Sequence, residues 1–177
     1  MAERYLFFNS TAADPRVYQA EDMATYWSSF LTNGIVGANP TGLLQVTADG
    51  VSTNLTLSPG RAIVSGHLYI NDAPLVLTAS QSPVGNRVDR LILRFDNSLQ
   101  NRSIKALIKE GGATPPPLTR NDTIYEISIA RITVRAGQTF ITQADVVDER
   151  ADPSVGGYAT ILASRADATQ ISLADGL

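Results

Sequence analysis

The sequence contains no cysteine and one histidine, His67. Without thiols the chain has no disulfide framework and no thiolate metal site. A single histidine leaves neither a nucleophilic triad that uses histidine nor a histidine-rich metal site. His67 follows the tight turn at Ser65 and Gly66, so we interpret it as a surface turn residue. We therefore predict no catalytic residue, no cofactor and no metal, and stability that comes from core packing or oligomerisation.

The sequence also lacks a concentration of positive charge and a long apolar run. Its net charge is -3 at pH 7, and the basic residues are scattered. A nucleic-acid partner needs a contiguous basic face, so we expect none. No stretch approaches the apolar length that spans a bilayer, and residues 1–5 do not resemble a secretory signal. We expect a soluble protein that is made in a cytoplasm and has no membrane partner.

What the sequence has is enough apolar content, 44% of its residues, to bury a sizeable core. Residues 87–110 are typical of a long antiparallel hairpin at the centre of a sheet. Leu91, Leu93 and Phe95 fall on one face, and Arg90, Ile92 and Arg94 fall on the other, as the period of two in a strand requires. The return strand alternates in the same way, with Lys105 and Lys109 on its polar face.

Most of the remaining chain is predicted to be short strands separated by turn signals. Asp49 and Gly50 mark a hairpin turn, and the glycine and proline run at residues 111–117 marks a surface crossing between strands. Residues 124–134 alternate with a change of phase near Ala130 and Arg131, which indicates a bulge. Eight or nine strands predict a mainly β fold: an antiparallel β-sandwich or barrel-like domain with one N-terminal α-helix and an extended C-terminal tail.

We divide the chain into an N-terminal anchor segment and helix at 1–34, a β-sandwich domain at 35–152, and a C-terminal tail or linker to a partner at 153–177. Within the first part, residues 5–8 form a short apolar run that fits either a first strand or a hydrophobic anchor. Residues 158–177 are small, polar and weakly patterned, so we expect only a partner to order them.

Residues 18–31 are predicted to form the helix, ended by Asn33 and Gly34. One stripe of large apolar side chains recurs on a single helical face. Either a sheet of the same chain or a neighbouring subunit must cover this stripe. We predict that it belongs to an interface, together with three residues of the tail. The predicted interface residues are Met23, Tyr26, Trp27, Phe30, Leu31, Tyr158, Ile161 and Leu162.

Three further groups are candidate sites. The acidic group Asp145, Asp148, Glu149 and Asp152 could bind a hard cation, but no glycine-hinged loop accompanies it. A solvated turn, or pairing of Asp148 with an arginine, is favoured. The cluster Arg87, Asp89 and Arg90 is interpreted as cross-strand charge pairs on the exposed face of a sheet. Trp27 and the tyrosines could stack on sugars, yet the position of Trp27 in the stripe predicts that it is buried.

Nine segments, taken in order, resemble a known family. With x for any residue, they are FFNS at residues 7–10, YQAEDMAxY at 18–26, FLxNG at 30–34, LSPGRA at 57–62, GxxY at 66–69, NRVDRL at 86–91, PLTR at 117–120, YEIxIA at 125–130 and ITQADVVDER at 141–150. The set resembles the N-terminal attachment module of baseplate and tail-fibre (receptor-binding) proteins of long-tailed bacteriophages, and it covers most of the chain.

The resemblance implies a structural, non-enzymatic virion protein of the tail or baseplate, assembled in the host cytoplasm. Its implied partners are other tail and baseplate proteins and two further copies in a homotrimer, with host cell-wall saccharide contacted indirectly. Family members with receptor-binding duty continue into a long stalk and tip, whereas here only residues 157–177 remain, which favours an adaptor. The alternatives are a carbohydrate-binding receptor-recognition module of the tail, a head fibre or decoration protein, and a glycan-cleaving enzyme that uses Asp145, Asp148 and Glu149.

Overall fold

A computed structural model of the chain describes Glu3, residues 5–37 and residues 42–162. These residues form one α-helix, one 3-10 turn and ten strands, which confirms the predicted mainly β fold with an N-terminal helix. The elements are α1 (Ala20–Ser28), β1 (Gly34–Val36), β2 (Val46–Ala48), β3 (Asn54–Leu57), β4 (Gly60–Val64), β5 (His67–Asn71), β6 (Leu75–Thr78), β7 (Arg87–Asp96), β8 (Ser103–Lys109), β9 (Ile124–Val134), the 3-10 turn (Gln143–Asp145) and β10 (Val146–Asp148).

The strands form three antiparallel sheets, in the orders β1-β4-β5, β10-β9-β7-β8 and β2-β3-β6. The predicted hairpin is confirmed, since β7 pairs with β8 from Arg90 opposite Lys109 to Asp96 opposite Ser103. On its other side β7 pairs along its whole length with β9. Only β7 has the predicted position inside the sheet, because β8 forms one of its edges.

The predicted bulge in β9 is confirmed within two residues. Leu91 pairs with Ala130, whereas the next residue, Ile92, pairs with Ser128, so Ile129 has no partner on β7. Both Ile129 and Ala130 are buried in the core. An extra residue in one strand bends that strand and increases its twist, and here it lets two consecutive side chains face inward.

One hydrophobic core lies between the inner faces of the sheets, as in a sandwich. Its members alternate along the strands, with polar or surface residues between them, because successive side chains of a strand point to opposite faces. Strands of all three sheets contribute. The largest fully buried side chains of this core are Ile35, Leu44, Leu55, Leu57, Leu91, Leu93, Ile127, Ile129, Ile132 and Ile141.

The helix is shorter than predicted, because α1 ends at Ser28 and not at residue 31. The backbone N–H groups of Phe30 and Leu31 both donate to the Trp27 carbonyl, which closes the last turn. At the other end, the Gln19 N–H donates to the Asp22 carboxylate at 2.7 Å. This bond satisfies one of the amides that every helix N-terminus leaves unpaired.

The predicted tail is wrong at its start, because part of it belongs to the fold. The Ile35 N–H donates to the Gly157 carbonyl, and the Thr32 N–H to the Thr160 carbonyl. Residues 157–162 thereby lie beside residues 30–35, with a parallel bridge between Ile35 and Tyr158 and an antiparallel bridge between Leu31 and Ile161. The composition of residues 158–162 did not predict that they are ordered, because backbone hydrogen bonds can order a segment that has few large side chains. The rest of the predicted tail, residues 163–177, lies outside the described residues.

We predict that Gly66→Ala destabilises the fold more than Gly50→Ala. Both glycines have positive φ, +72° and +75°, so an alanine suffers similar backbone strain at either position. At Gly66, however, a Cβ would also overlap the Ala24 carbonyl oxygen on α1, whereas it meets nothing within 4 Å at Gly50. We expect an extra loss of about 2 kcal/mol in the free energy of unfolding, measured by urea denaturation. Equal losses would mean that α1 does not pack closely on the β4–β5 turn.

Candidate assembly surface

The apolar stripe of α1 lies at the surface of the chain. Met23, Tyr26, Trp27 and Phe30 are each between 42% and 47% exposed, and Leu31 is half-buried. The predicted burial of Trp27 is therefore wrong within this chain. The reason is that the helix approaches the β4–β5 turn through small residues, Ala24 against Gly66, so the larger side chains stay outside the contact.

Aromatic residues that precede the helix extend this surface. Tyr5, Phe7 and Phe8 are between 43% and 59% exposed and form no strand, so the first-strand interpretation of residues 5–8 is wrong and the anchor interpretation stays a prediction. The Phe7 ring lies 5.2 Å from the Tyr26 ring, and the Tyr26 ring lies 4.9 Å from that of Phe30. We call Tyr5, Phe7 and Phe8 the aromatic arm. The arm and the stripe form one continuous aromatic surface.

On the other flank of the stripe, α1 and the outer face of the β1-β4-β5 sheet enclose a groove of about 620 Å³. Arg61 lies opposite Ile70, and Ile63 opposite Leu68, so these four side chains share the outer face. Leu68 and Ile70 are both more than half exposed. We call this cavity the helix groove; its lining is mostly apolar. The described residues that line it are Ala20, Met23, Ala24, Trp27, Leu31, Val36, Arg61, Ile63, Gly66, His67 and Leu68.

The three predicted interface residues of the tail separate into two groups. Tyr158 packs against the chain's own core and pairs with Ile35, and burial raises the pKa of its phenol. Ile161 and Leu162 are 78% and 48% exposed and lie beside the end of the helix. Ile161 pairs with Leu31, and the Leu162 N–H donates to the Phe30 carbonyl at 2.7 Å. The structure therefore joins Ile161 and Leu162 to the helical stripe and sets Tyr158 apart.

Three of the four residues in the acidic group, Asp145, Asp148 and Glu149, pair with arginines. The predicted pairing of Asp148 with an arginine is confirmed, since Arg150 donates to both of its carboxylate oxygens. Asp145 and Glu149 are not solvated: they are 3% and 6% exposed, and each accepts from an arginine. Asp152 is exposed and accepts from Ser154. Across the described part of the chain, no cluster of three or more His, Cys, Asp and Glu side chains could hold a metal ion.

The cluster at the start of β7 also differs from its prediction. Asp89 has no exposed surface and pairs with Arg87, two residues away on the same strand, while its Oδ1 atom accepts the Gly111 N–H. Arg90 does reach across the strands, to Glu149 at 2.9 Å. Arg87 and Asp89 lie on the same face of β7 as Leu91, and Arg90 lies on the opposite face, so the three residues do not form one exposed face. The connection after β8 helps to cover Asp89.

Sequence reasoning missed Glu126, which also has no exposed surface. Its carboxylate accepts from Arg94 at 2.7 Å, from Lys109 at 2.7 Å and from the Thr119 N–H at 2.7 Å. Burial opposes ionisation of Glu126, but these hydrogen bonds outweigh that cost and lower its pKa below the ordinary value of 4.5. The available signal was the alternation in β9, which places Glu126 on the same face as the basic residues of β7 and β8.

His67 is half-buried at the start of β5. Its ring lies 4.8 Å from the Phe95 ring, and Nδ1 lies 2.8 Å from the Ser65 carbonyl. These contacts tie the β4–β5 turn to the central strand β7, so His67 has a packing role beyond that of the predicted surface turn residue.

Comparisons with protein-family models, with curated proteins and with solved structures found no match to this chain. Among the described residues, no helix has both the length and the apolar character to cross a membrane.

We predict that Glu126→Gln lowers the free energy of unfolding by about 3 kcal/mol at pH 7, because it removes one partner from a buried ionic group. Glu110→Gln is the matched control. Glu110 is 53% exposed and lies 3.9 Å from Arg87, so its loss should change stability by less than about 1 kcal/mol. Urea denaturation of both variants measures the difference. Similar small losses would show that the Glu126 network is not a stabilising element.

The same network predicts how stability depends on pH. A carboxylate whose pKa is lower in the folded state contributes stability that is complete above its unfolded pKa and is lost as the pH falls through the folded pKa. Glu126, Asp145 and Asp148 all have lowered pKa values. We expect the free energy of unfolding to be constant near neutral pH and to fall below about pH 4.5. In Glu126→Gln, the free energy of unfolding should fall less steeply as the pH is lowered. An unchanged slope would contradict the contribution of Glu126 to this pH dependence.

Proposed function

We propose that this chain is a structural component of a bacteriophage virion, an adaptor of the baseplate or tail tip that docks host-contacting appendages. The proposal unites the sequence resemblance with one structural observation. That observation is the half-exposed aromatic surface formed by the stripe of α1 and the aromatic arm. The proposal assigns no catalytic role to the chain and no location outside the tail.

The composition of this surface supports a protein partner. Tyr, Trp, Phe and Met are enriched in protein interfaces, and a contiguous exposed apolar patch on a soluble domain usually marks an interaction site. The surface holds Met23, Trp27 and Phe30 at similar partial exposure. Large aromatic side chains with few rotatable bonds bury much apolar area at a low cost in conformational entropy, which suits them to anchor an interface.

The proposed assembly is a homotrimer that contacts other tail and baseplate proteins. Ile161 and Leu162 lie next to the stripe, so a partner that covers Phe30 and Leu31 would also meet these two residues. A single interface could then use both the helix and the end of the described chain. Host cell-wall saccharide would be reached only through the appendage.

The exposure of Trp27 favours a second candidate, a carbohydrate-binding module of the tail. Trp27 is 44% exposed and lies in a groove, where an indole ring could stack on a sugar. Few polar groups converge there, however, since the groove is lined mainly by apolar side chains, and sugar sites need hydrogen-bonding groups beside the aromatic ring. We therefore rank this candidate second. A head fibre or decoration protein remains the third candidate and has no specific structural observation in its favour.

We predict that the wild-type chain is a trimer in solution and that the double variant Trp27→Ala with Phe30→Ala is a folded monomer. The substitutions remove two aromatic anchors that α1 presents to solvent, so the fold should survive while the interface is lost. Light scattering on a sizing column gives the mass, and circular dichroism checks the fold. The control, Val51→Ala with Val84→Ala, removes side chains that are 81% and 89% exposed outside this surface and should remain trimeric.

A monomeric wild-type chain would remove trimerisation as an intrinsic property. The saccharide candidate has its own measurement, because Trp27 is the only tryptophan and its fluorescence is unambiguous. Saturable quenching by host-wall saccharides, together with a binding heat in titration calorimetry that the Trp27→Ala variant loses, would favour the carbohydrate-binding module. No change in emission would count against it.

A further inference from the structure

The β1-β4-β5 sheet has two edges, and the chain itself closes one of them. At the β1 edge, the Ile35 N–H donates to the Gly157 carbonyl at 2.9 Å, and the Ile35 carbonyl accepts from the Ala159 N–H at 2.8 Å. Residues 157–159 therefore take the position of a neighbouring strand. At the other edge, none of the described residues forms a backbone bond to the outer side of β5. An open edge presents N–H and carbonyl groups with which another strand can pair.

The turn between β4 and β5 shows which backbone groups face this open edge. Ser65 and Gly66 both have positive φ, 50° and 72°, which is the pattern of a type I′ turn. The residues that flank such a turn form a hydrogen-bonded pair, and bonded and non-bonded pairs then alternate along the ladder. Leu68 and Ile70 are therefore the residues whose N–H and carbonyl groups point away from β4.

The edge of β5 lacks the usual protection against pairing. Natural proteins shield exposed edges with proline, with charged side chains or with a covering loop. The sequence of β5, HLYIN, contains no proline, lysine, arginine or acidic residue. Its Leu68 and Ile70 side chains are 53% and 54% exposed. These features make β5 a suitable template for an added strand.

A cleft of about 570 Å³ runs along this edge, and we call it the edge cleft. The consecutive residues 67–70 of β5 all line it. Side chains of one sheet face alone could not do this, because successive side chains point to opposite faces. None of the predicted interface residues lines the cleft. Its remaining walls include Glu21, Phe95, Asn97, Arg102 and Ile104.

The edge cleft combines an apolar floor with polar groups that can bind a carboxylate. Phe95 lies opposite Ile104 in the β7–β8 ladder. Within the part of the chain that the structure describes, Arg102 and Tyr69 form no side-chain hydrogen bond or ion pair. Burial raises the pKa of the Tyr69 phenol, so it keeps its proton and can donate beside the Arg102 guanidinium. Glu21 balances the charge of Arg102, which favours one carboxylate over a strongly acidic ligand.

We propose that the edge cleft binds an extended peptide segment of another protein, which adds to β5 as an antiparallel strand. Its side chains follow the pattern apolar, acidic, apolar. The two apolar residues pair with Leu68 and Ile70 and lie beside them on the outer face. The acidic side chain between them points into the cleft, toward Arg102 and Tyr69. Main-chain bonds supply the affinity and the acidic side chain the specificity. The inference goes beyond the proposed function and holds whether or not the chain is a virion component.

Amide hydrogen exchange, followed by NMR on the full chain, tests the pairing. In the free chain, the His67 and Tyr69 amides should exchange slowly, because they bond to β4, and the Leu68 and Ile70 amides should exchange fast. The probe is the acetylated and amidated peptide Thr-Val-Glu-Val-Thr. At about ten times its dissociation constant it should slow exchange at Leu68 and Ile70 about tenfold, because only the unbound fraction exchanges.

The matched control is the same peptide N-methylated at both valines, which keeps every side chain but loses the donors that pair with β5. It should not bind. Slow exchange at Leu68 and Ile70 in the free chain would overturn the proposal, since this chain or a second copy would then already occupy the edge. The proposal would also be overturned if millimolar peptide gave no protection, if the protection appeared on β8 instead, or if the methylated peptide bound equally well.

Arg102→Gln tests the acidic position of the ligand. The dissociation constant of Thr-Val-Glu-Val-Thr should rise about fivefold, as expected for the loss of an exposed ion pair, and that of Thr-Val-Gln-Val-Thr should stay the same. The matched control is Lys105→Gln, which removes an exposed positive charge of β8 that does not line the cleft. It should bind like the wild type. Equal losses for both peptides, or in both variants, would overturn the proposed contact with Arg102.

Discussion

A carboxylate that has no exposed surface must find hydrogen-bond donors inside the protein, and Glu126 imposes this constraint on the largest sheet. Its donors come from three places: Arg94 on β7, Lys109 on β8 and the Thr119 N–H in the connection between β8 and β9. Glu149 acts similarly, since it accepts from Arg90 on β7 and from Ser128 on β9. These bonds exist only in one register, so the two buried acids stabilise both the pairing of the strands and the path of the chain that covers them.

This fixed sheet supports the aromatic surface through a short series of contacts. Ile127 of β9 lies against Gly156, where a Cβ would approach to 2.8 Å, and the chain then continues into the backbone bonds with residues 30–35. From the opposite side, Phe95 of β7 stacks on His67, next to the Gly66 contact with α1. The central sheet therefore positions the helix at both ends of the stripe. It does so through these intermediate residues, because the sheet and the helix share few direct contacts.

Local pattern was enough to predict β5, β7, β8 and β9. Alternation of side chains marks each of these strands, and turn residues mark their ends. Local pattern did not predict the features that depend on contacts between residues far apart in the sequence. The stripe continues in period through Phe30 and Leu31, so nothing local revealed that both amides share the Trp27 carbonyl and end the helix early. Glu126 was missed for the same reason. The alternation in β9 predicts which face of the sheet Glu126 lies on, but its burial depends on the connection between β8 and β9, which passes over that face. For the stripe of α1, the helical period predicted which residues share a face, and it did not predict that they are exposed.

The backbone bonds that join residues 157–162 to residues 30–35 have a mechanical consequence. The Gly157, Thr160 and Phe30 carbonyls each accept one amide along a short line. A pull on the chain beyond Leu162 directed along that line loads these bonds together in shear, and not one after another as in unzipping. The force then passes through Ile35 and Tyr158, which are packed in the core, into the body of the domain. A pull along that line is therefore shared among several hydrogen bonds before it reaches the core.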